Sequence, residues 1–309
     1  MNIAIIGTGG VGGYFGAKMA QAGYNVTFLA RGQHLQAIKS NGLKVKSILG
    51  DFHLNKVKAV GTIPEIGMVD LAIVSVKAWQ VKEIRTDLKS ILHSNSIVLP
   101  LQNGILAAEE LREVIEPKCV IGGLCRIISK IEAPGVITHL GVTPSIVFGE
   151  FSGELTERVK QVKAVFDKAE ISSQVSADIE ADVWKKFISI CVSGLLAVSK
   201  TTYGEIRKLD ETRELMIGLI REVYELSQRK GLKIEPDFID KTVSFIDSFP
   251  AGSSSSLTRD VLEGKPSEIE YQNGTVVKLG KELGVSTPIN RFVYSCILPM
   301  ELRARHGKV

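Results

Sequence analysis

Cysteine is scarce in this 309-residue chain, and what there is does not pair. Cys119, Cys125, Cys191 and Cys296 form no CxxC motif and have no histidine at zinc-ligand spacing. A disulfide framework is thereby excluded, and the four are expected to be reduced core thiols of a cytoplasmic protein. The five histidines do not cluster, so no metal site is expected. No apolar run reaches the roughly 20 residues that a membrane-spanning helix needs. The N-terminus, MNIAIIGTGGVGGYFGAKMA, lacks a basic leader and is broken by glycines, so it does not read as a secretory signal. Excess charge is missing too. A net charge of +4, scattered along the chain, argues against a nucleic-acid surface and leaves room only for a basic pocket.

What is present suits an ordinary enzyme. Hydrophobic residues at 44% against 23% charged can fill real cores, and the length suggests two domains. Residues 2–6, 25–30, 70–76 and 96–100 read as apolar strands. They alternate with helical patterns near 10–22, 79–92 and 105–115. Apolar strands separated by helices imply a parallel sheet covered on both faces. Further strand-like pieces occupy 119–125, 135–141 and 145–150, and a helix is expected over 153–170. Beyond about residue 177 the strand signal ends. Helices are expected near 179–199, at 211–230 with Leu215, Leu219, Val223 and Leu226 on the apolar face, from Pro236 to near Pro250, over 266–283, and from Thr287–Pro288 onward. The fold class is therefore an α/β Rossmann-type dinucleotide-binding domain, residues 1–176, followed by an all-α domain, residues 177–309.

The first strand runs into Gly7-Thr8-Gly9-Gly10-Val11-Gly12 and then a helix. That is the context in which GxGxxG binds a dinucleotide pyrophosphate at a helix N-terminus. An acidic residue after the second strand would bind the ribose 2′-hydroxyl of NAD. Arg31 stands there instead, which suits the 2′-phosphate of NADP(H) or is a solvated loop cation. Lys77 and Asn103 follow the third and fourth strands, at the sheet edge where ligands bind, although Asn103-Gly104 is also ordinary turn chemistry. Glu268, placed in the first turn of a helix from Pro266, reads alone as a dipole complement.

VWKKFISICVSG, residues 183–194, sets two lysines against an apolar run. On a continuous helix Lys186 shares a face with Val183, Ile190 and Gly194, while Lys185 points about 100° away. The helix dipole disfavours a lysine early in a helix, so Lys186 is either a partly desolvated proton donor or a residue that snorkels to water.

These pieces together resemble the ketopantoate reductase family along nearly the whole chain. The resemblance rests on GTGGVG, LAR, VKAWQ, QNG, WKKF, SSLTRDVLEGKPSEIEYQNG and GVSTP. It implies a Rossmann-type domain followed by a helical one, and NADPH-dependent reduction of a 2-keto acid to a 2-hydroxy acid. The family's lysine, two residues after the tryptophan, is Lys186, which the resemblance assigns to the keto oxygen as proton donor. Glu268 matches a glutamate of the catalytic cleft. Asn103 and Ser256 match positions near nicotinamide and substrate, and Arg31 and Lys77 match cofactor contacts. Family members commonly carry asparagines one and two turns after the lysine, where this chain has Ile190 and Gly194, and Ser253 replaces a further one. The cofactor half of the motif set is intact and the substrate half is altered. The expected substrate is 2-dehydropantoate. The alternatives are a more apolar 2-keto acid, an opine-type dehydrogenase, and a non-catalytic NADP-binding sensor. A homodimer fits all of these.

Overall fold

The computed structural model describes residues 1–307. The chain divides into two compact units: Met1–Gln102 with Leu106–Asp182, and Asn103–Ile105 with Val183–Val309.

The first unit is built on a five-stranded parallel sheet, in the spatial order Lys58–Val60, Asn25–Leu29, Asn2–Ile6, Val69–Val74, Leu92–Pro100. Its strands are β1 (Asn2–Ile6), β2 (Asn25–Leu29), β5 (Lys58–Val60), β6 (Val69–Val74) and β7 (Leu92–Pro100). Successive side chains of a strand point to opposite faces, so an unbroken apolar strand feeds two cores. Ile3 and Ile5 of β1 join Leu71, Ile73, Phe15 and Phe28 on one face. Ala4 and Ile6 join Ala72, Val74, Val81 and Ile84 on the other. Three helices connect these strands: α1 (Gly10–Gln21), α2 (Gly32–Asn41) and α3 (Gln80–Lys89). The short α4 (Ala107–Arg112) follows β7. The strand order reverses between β1 and β6, which makes their C-terminal ends the crevice of an open α/β sheet.

A second sheet was only partly legible. The pieces at 135–141 and 145–150 are one strand, β9 (Val136–Gly149), paired antiparallel with β8 (Gly122–Ala133). β3 (Leu43–Ser47) and β10 (Ser172–Val175) lie parallel to successive parts of β9, and β4 (Phe52–Leu54) pairs antiparallel with β3. These short edge strands alternate polar and apolar residues too briefly to stand out of the sequence. The helix expected over 153–170 is α5 (Glu157–Lys168), which Thr156 caps by accepting from the Val159 N–H.

The division between the units falls within α6 (Ile179–Ile190). The helix expected over 179–199 is interrupted there: α6 stops at Ile190, and α7 (Ser193–Ser199) starts after a turn at Cys191–Val192. The second unit continues with α8 (Tyr203–Lys208), α9 (Asp210–Arg229), α10 (Phe238–Asp247) and α11 (Ser256–Leu262). A π-helical turn, Glu270–Gly274, then leads into α12 (Thr275–Leu283), and α13 (Pro288–His306) closes the chain. α9 packs on α10, α12 and α13. Its buried stripe is Met216, Leu219, Ile220, Val223 and Leu226. Leu215, expected on that stripe, is exposed, because the face is centred nearer Met216. The helix expected from Pro266 starts only at Glu270, so Glu268 precedes it and supplies the carbonyl that accepts from the Tyr271 and Gln272 N–H groups. Among the four cysteines, Cys296 is exposed on α13 rather than in a core.

Candidate active site

In the first unit the glycine turn has the shape a pyrophosphate needs. Gly7 takes φ +105°, a left-handed conformation that side chains avoid. A Cβ on Gly12 would fall 2.2 Å from Ser75 Oγ and 2.3 Å from the Gly7 carbonyl oxygen, so only glycine lets α1 approach β1 and β6 this closely. Ser75, just past β6, donates its hydroxyl to the Gly7 carbonyl at 2.8 Å. Thr8 anchors the turn to β2 through its N–H and its hydroxyl, both to the Leu29 carbonyl at 2.9 and 2.8 Å. Gly9 is the N-cap of α1 with no side-chain cap, and nothing lies within 4 Å of the place its Cβ would take. The first turn, Gly10, Val11 and Gly12, therefore offers backbone donors that no helix satisfies internally, next to the open space at Gly9. The residues present fit a dinucleotide phosphate.

Arg31 is exposed and sits at the N-cap of α2, directly after β2. Lys77 follows β6, with its ammonium 5.9 Å from the Trp79 ring centre. Turn, arginine and lysine thus stand at the C-terminal ends of β1, β2 and β6.

The second unit gathers the other candidates. Lys186 is 9% exposed. It is the eighth residue of the twelve-residue α6, past the first turn, so the expected dipole penalty does not arise. Lys185 faces elsewhere: its ammonium pairs with Glu235 at 3.0 Å and stands 5.7 Å from the Phe238 ring centre. The Glu235 carboxyl is held down at about 2, first by its own backbone N–H and then by Lys185. Glu268 is 5% exposed and accepts from Asn103 Nδ2 at 3.1 Å, joining positions 165 residues apart. Ser256, half-buried, opens α11, whose Thr258 hydroxyl donates to the Ser193 carbonyl at 3.0 Å and ties α11 to α7.

Gly194 has no open space beside it. A Cβ there would lie 2.5 Å from Val293 Cγ1 and 2.6 Å from Asn273 Oδ1. The space belongs to Asn273, a fully buried side chain the sequence did not single out. Asn273 Nδ2 donates to the Cys191 carbonyl at 2.9 Å, at the break after α6, and to Asn290 Oδ1 at 2.8 Å. Asn290 Nδ2 in turn donates to Glu222 at 2.7 Å, and Glu222 also accepts the Ile289 and Asn290 N–H groups at the start of α13. A second support also went unnoticed. Glu301 of α13 accepts the Ser267 N–H at 2.8 Å and its hydroxyl at 2.6 Å, one residue before Glu268. The QNG of residues 272–274 was a visible signal for Asn273; nothing local marked Glu222 or Glu301. Among the described residues no group of three or more His, Cys, Asp or Glu could hold a metal, and no helix is long and apolar enough to cross a membrane.

Comparison with known proteins agrees with the fold and identifies the family. Residues 3–153 match the family model of ketopantoate reductase PanE/ApbA, and residues 178–301 match its C-terminal model. The chain belongs to the ketopantoate reductase family. It is 31% identical to a 2-dehydropantoate 2-reductase of Nostoc sp. PCC 7120 over 99% of this chain and 97% of that one. A crystal structure of a PanE/ApbA family ketopantoate reductase from Ralstonia eutropha JMP134 superposes with a TM-score of 0.91 at 28% identity, covering 99% of this chain and all of the other. A D-mandelate dehydrogenase with NADH and anilino(oxo)acetate shares the fold, with a TM-score of 0.90 at 22% identity and 99% coverage of both chains. As a member of this family the chain is an oxidoreductase, and its cofactor is a nicotinamide dinucleotide.

Proposed function

We propose that this family member reduces a 2-keto acid to the 2-hydroxy acid with NADPH, and that 2-dehydropantoate is the first candidate substrate. The observation that carries the reading is a helical unit holding a buried lysine, Lys186, together with a buried glutamate, Glu268, that accepts from the half-buried Asn103. A bound reduced nicotinamide supplies the hydride to the keto carbon. Negative charge then builds on the keto oxygen. An ammonium held ready for that oxygen stabilises the transition state more than the ground state. Lys186 takes that role and delivers the proton, completing the alcohol. Asn103 and Ser256 are assigned to orient substrate and nicotinamide ribose, and Glu268, which accepts from Asn103, is assigned to the same cleft. Arg31, with no carboxylate to receive a 2′-hydroxyl, selects NADPH by a charge-assisted contact with its 2′-phosphate.

A second reading, a more apolar 2-keto acid, is favoured by one feature. Ile190 brings no polar group, and the space at Gly194 is filled by Asn273 and Val293. A site without those donors gives a hydroxylated substrate less to bind. NADPH oxidation with 2-dehydropantoate and with branched and aryl 2-keto acids tests both readings. Selective turnover of 2-dehydropantoate supports the first, and preference for an apolar acid supports the second. Cofactor binding without turnover of any 2-keto acid refutes both in favour of a sensor. Lys186→Ala should cut kcat/KM about a hundredfold or more, as loss of a proton donor does. Lys185→Ala should change it far less; equal effects would refute the assignment.

A further inference from the structure

His34 has no part in the motifs above, yet it touches the cofactor turn. It lies in the first turn of α2, and its Nε2 is 2.9 Å from the Thr8 carbonyl oxygen. Its Nδ1 accepts the Gly135 N–H at 3.0 Å, from the bend between β8 and β9. A carbonyl can only accept and a backbone N–H can only donate. The ring must therefore be neutral, with its proton on Nε2. We propose that His34 is a positioning residue for the cofactor: as a neutral imidazole it fixes the orientation of the Thr8–Gly9 peptide in the phosphate-binding turn.

The geometry follows from the peptide bond. In a trans peptide the C=O and the next N–H point in opposite directions. With the Thr8 carbonyl held by His34, the Gly9 N–H is turned the other way, and Gly9 is the position with open space beside it. The Thr8 N–H and hydroxyl fix one end of this peptide to Leu29, and His34 fixes its rotation. Gly135 adds the second sheet as a brace, since its own carbonyl accepts the Lys44 N–H of β3 at 2.9 Å. A donor aimed before the ligand arrives saves the ordering cost of binding.

Protonation would put a second N–H on the ring, opposite the Gly135 N–H, and break that bond. Burial already pushes the His34 pKa down, more than the Thr8 carbonyl raises it. No charged side chain is among the causes. The elements meeting there carry Arg31 at the N-cap of α2 and Lys39 within it, Lys44 and Lys46 on β3, Arg126, Lys130 and Glu132 on β8, and His139 on β9. Because the folded pKa is lowered, the contribution is full above the ordinary histidine value near 6.5 and is lost as pH falls through the lower folded value.

The inference rests on the turn being the phosphate site, and three variants separate the two. His34→Gln places an amide N–H where Nε2 donates. His34→Asn places an acceptor where Nδ1 accepts and withdraws the donor from Thr8. His34→Leu offers neither. NADPH affinity, measured by fluorescence titration without substrate, should fall about tenfold or more in His34→Leu, less in His34→Asn, and within about threefold in His34→Gln, with kcat at saturating NADPH little changed. The wild-type to His34→Gln affinity ratio should decline from pH 7 to pH 5, a comparison in which titration of NADPH itself cancels. In the cofactor-free protein the difference in Tm between the same two should shrink over that range. Unchanged affinity in His34→Leu, or weaker binding in His34→Gln than in His34→Asn, would overturn the inference alone. Wild-type protein that binds no nicotinamide dinucleotide would overturn the cofactor reading and this inference with it.

Discussion

Gly194→Ala adds one methyl group where Val293 Cγ1 and Asn273 Oδ1 already stand 2.5 and 2.6 Å away. Ordinary contact needs about 1 Å more on each side. Val293 is fully buried on α13, and Asn273 is held by its bonds to Cys191 and Asn290, so neither can swing clear. Forcing them apart is overpacking, which costs about 1–3 kcal/mol. Losing or stretching the two Asn273 bonds adds about 1 kcal/mol each. Alanine recovers about 1 kcal/mol of helix propensity in α7. The net expectation is a loss of about 2–4 kcal/mol, read as a lower urea midpoint with an unchanged slope. The Cys191 carbonyl lies at the end of the lysine helix, so kcat/KM should fall while NADPH affinity holds. Asn273→Ala costs stability by itself, but in that background the added methyl at Gly194 should be much cheaper, because one of its two obstacles is gone. The double-mutant cycle must therefore show a coupling of about 1 kcal/mol or more. Additive effects, or a neutral Gly194→Ala, would refute the reasoning. They would mean that this glycine is not there to admit Asn273. The same geometry predicts that Gly194→Asn will not restore a family-type substrate contact, because its side chain has no room to leave the helix.

Arg31→Ala should raise the KM for NADPH and scarcely alter that for NADH; equal losses with both would make Arg31 structural. Native protein should react with a thiol reagent at Cys296 alone, since Cys119, Cys125 and Cys191 are buried and burial pushes the Cys191 thiol well above its ordinary value. Rapid labelling of Cys191 before unfolding would contradict the packing around α6 and α7. The Glu235 carboxyl, lowered to about 2, adds stability that is full above the ordinary carboxylate range and disappears as pH falls through that value. Lys185→Ala should raise its midpoint only part of the way back, because the backbone N–H, the first cause, remains. NMR titration of the Glu235 carboxyl checks this, and a full return to the ordinary value would show that Lys185 alone depresses it.

The parallel sheet, the glycine turn and the helical second half were legible in the sequence because their signals are local. An apolar strand, a GxGxxG between strand and helix, and a Thr-Pro helix start each express the physics of a few adjacent residues. As candidates, Lys186 and Glu268 stood out only together with the family pattern. Taken alone, each has an ordinary structural reading. Tertiary structure decided the rest. VWKKFISICVSGLLAVS shows no glycine or proline at the break after Ile190; the break is stabilised from outside, by Asn273 reaching the Cys191 carbonyl. That interruption puts Lys186 near a helix end and gives Gly194 to Asn273. Asn103 meets Glu268 across 165 positions, and His34 meets Gly135 across 101. Such pairs satisfy buried polar groups wherever the fold brings a partner, so no period or spacing along the chain announces them. The sequence by itself therefore determined which chemistry is present, whereas the tertiary structure decided which groups hold it in place.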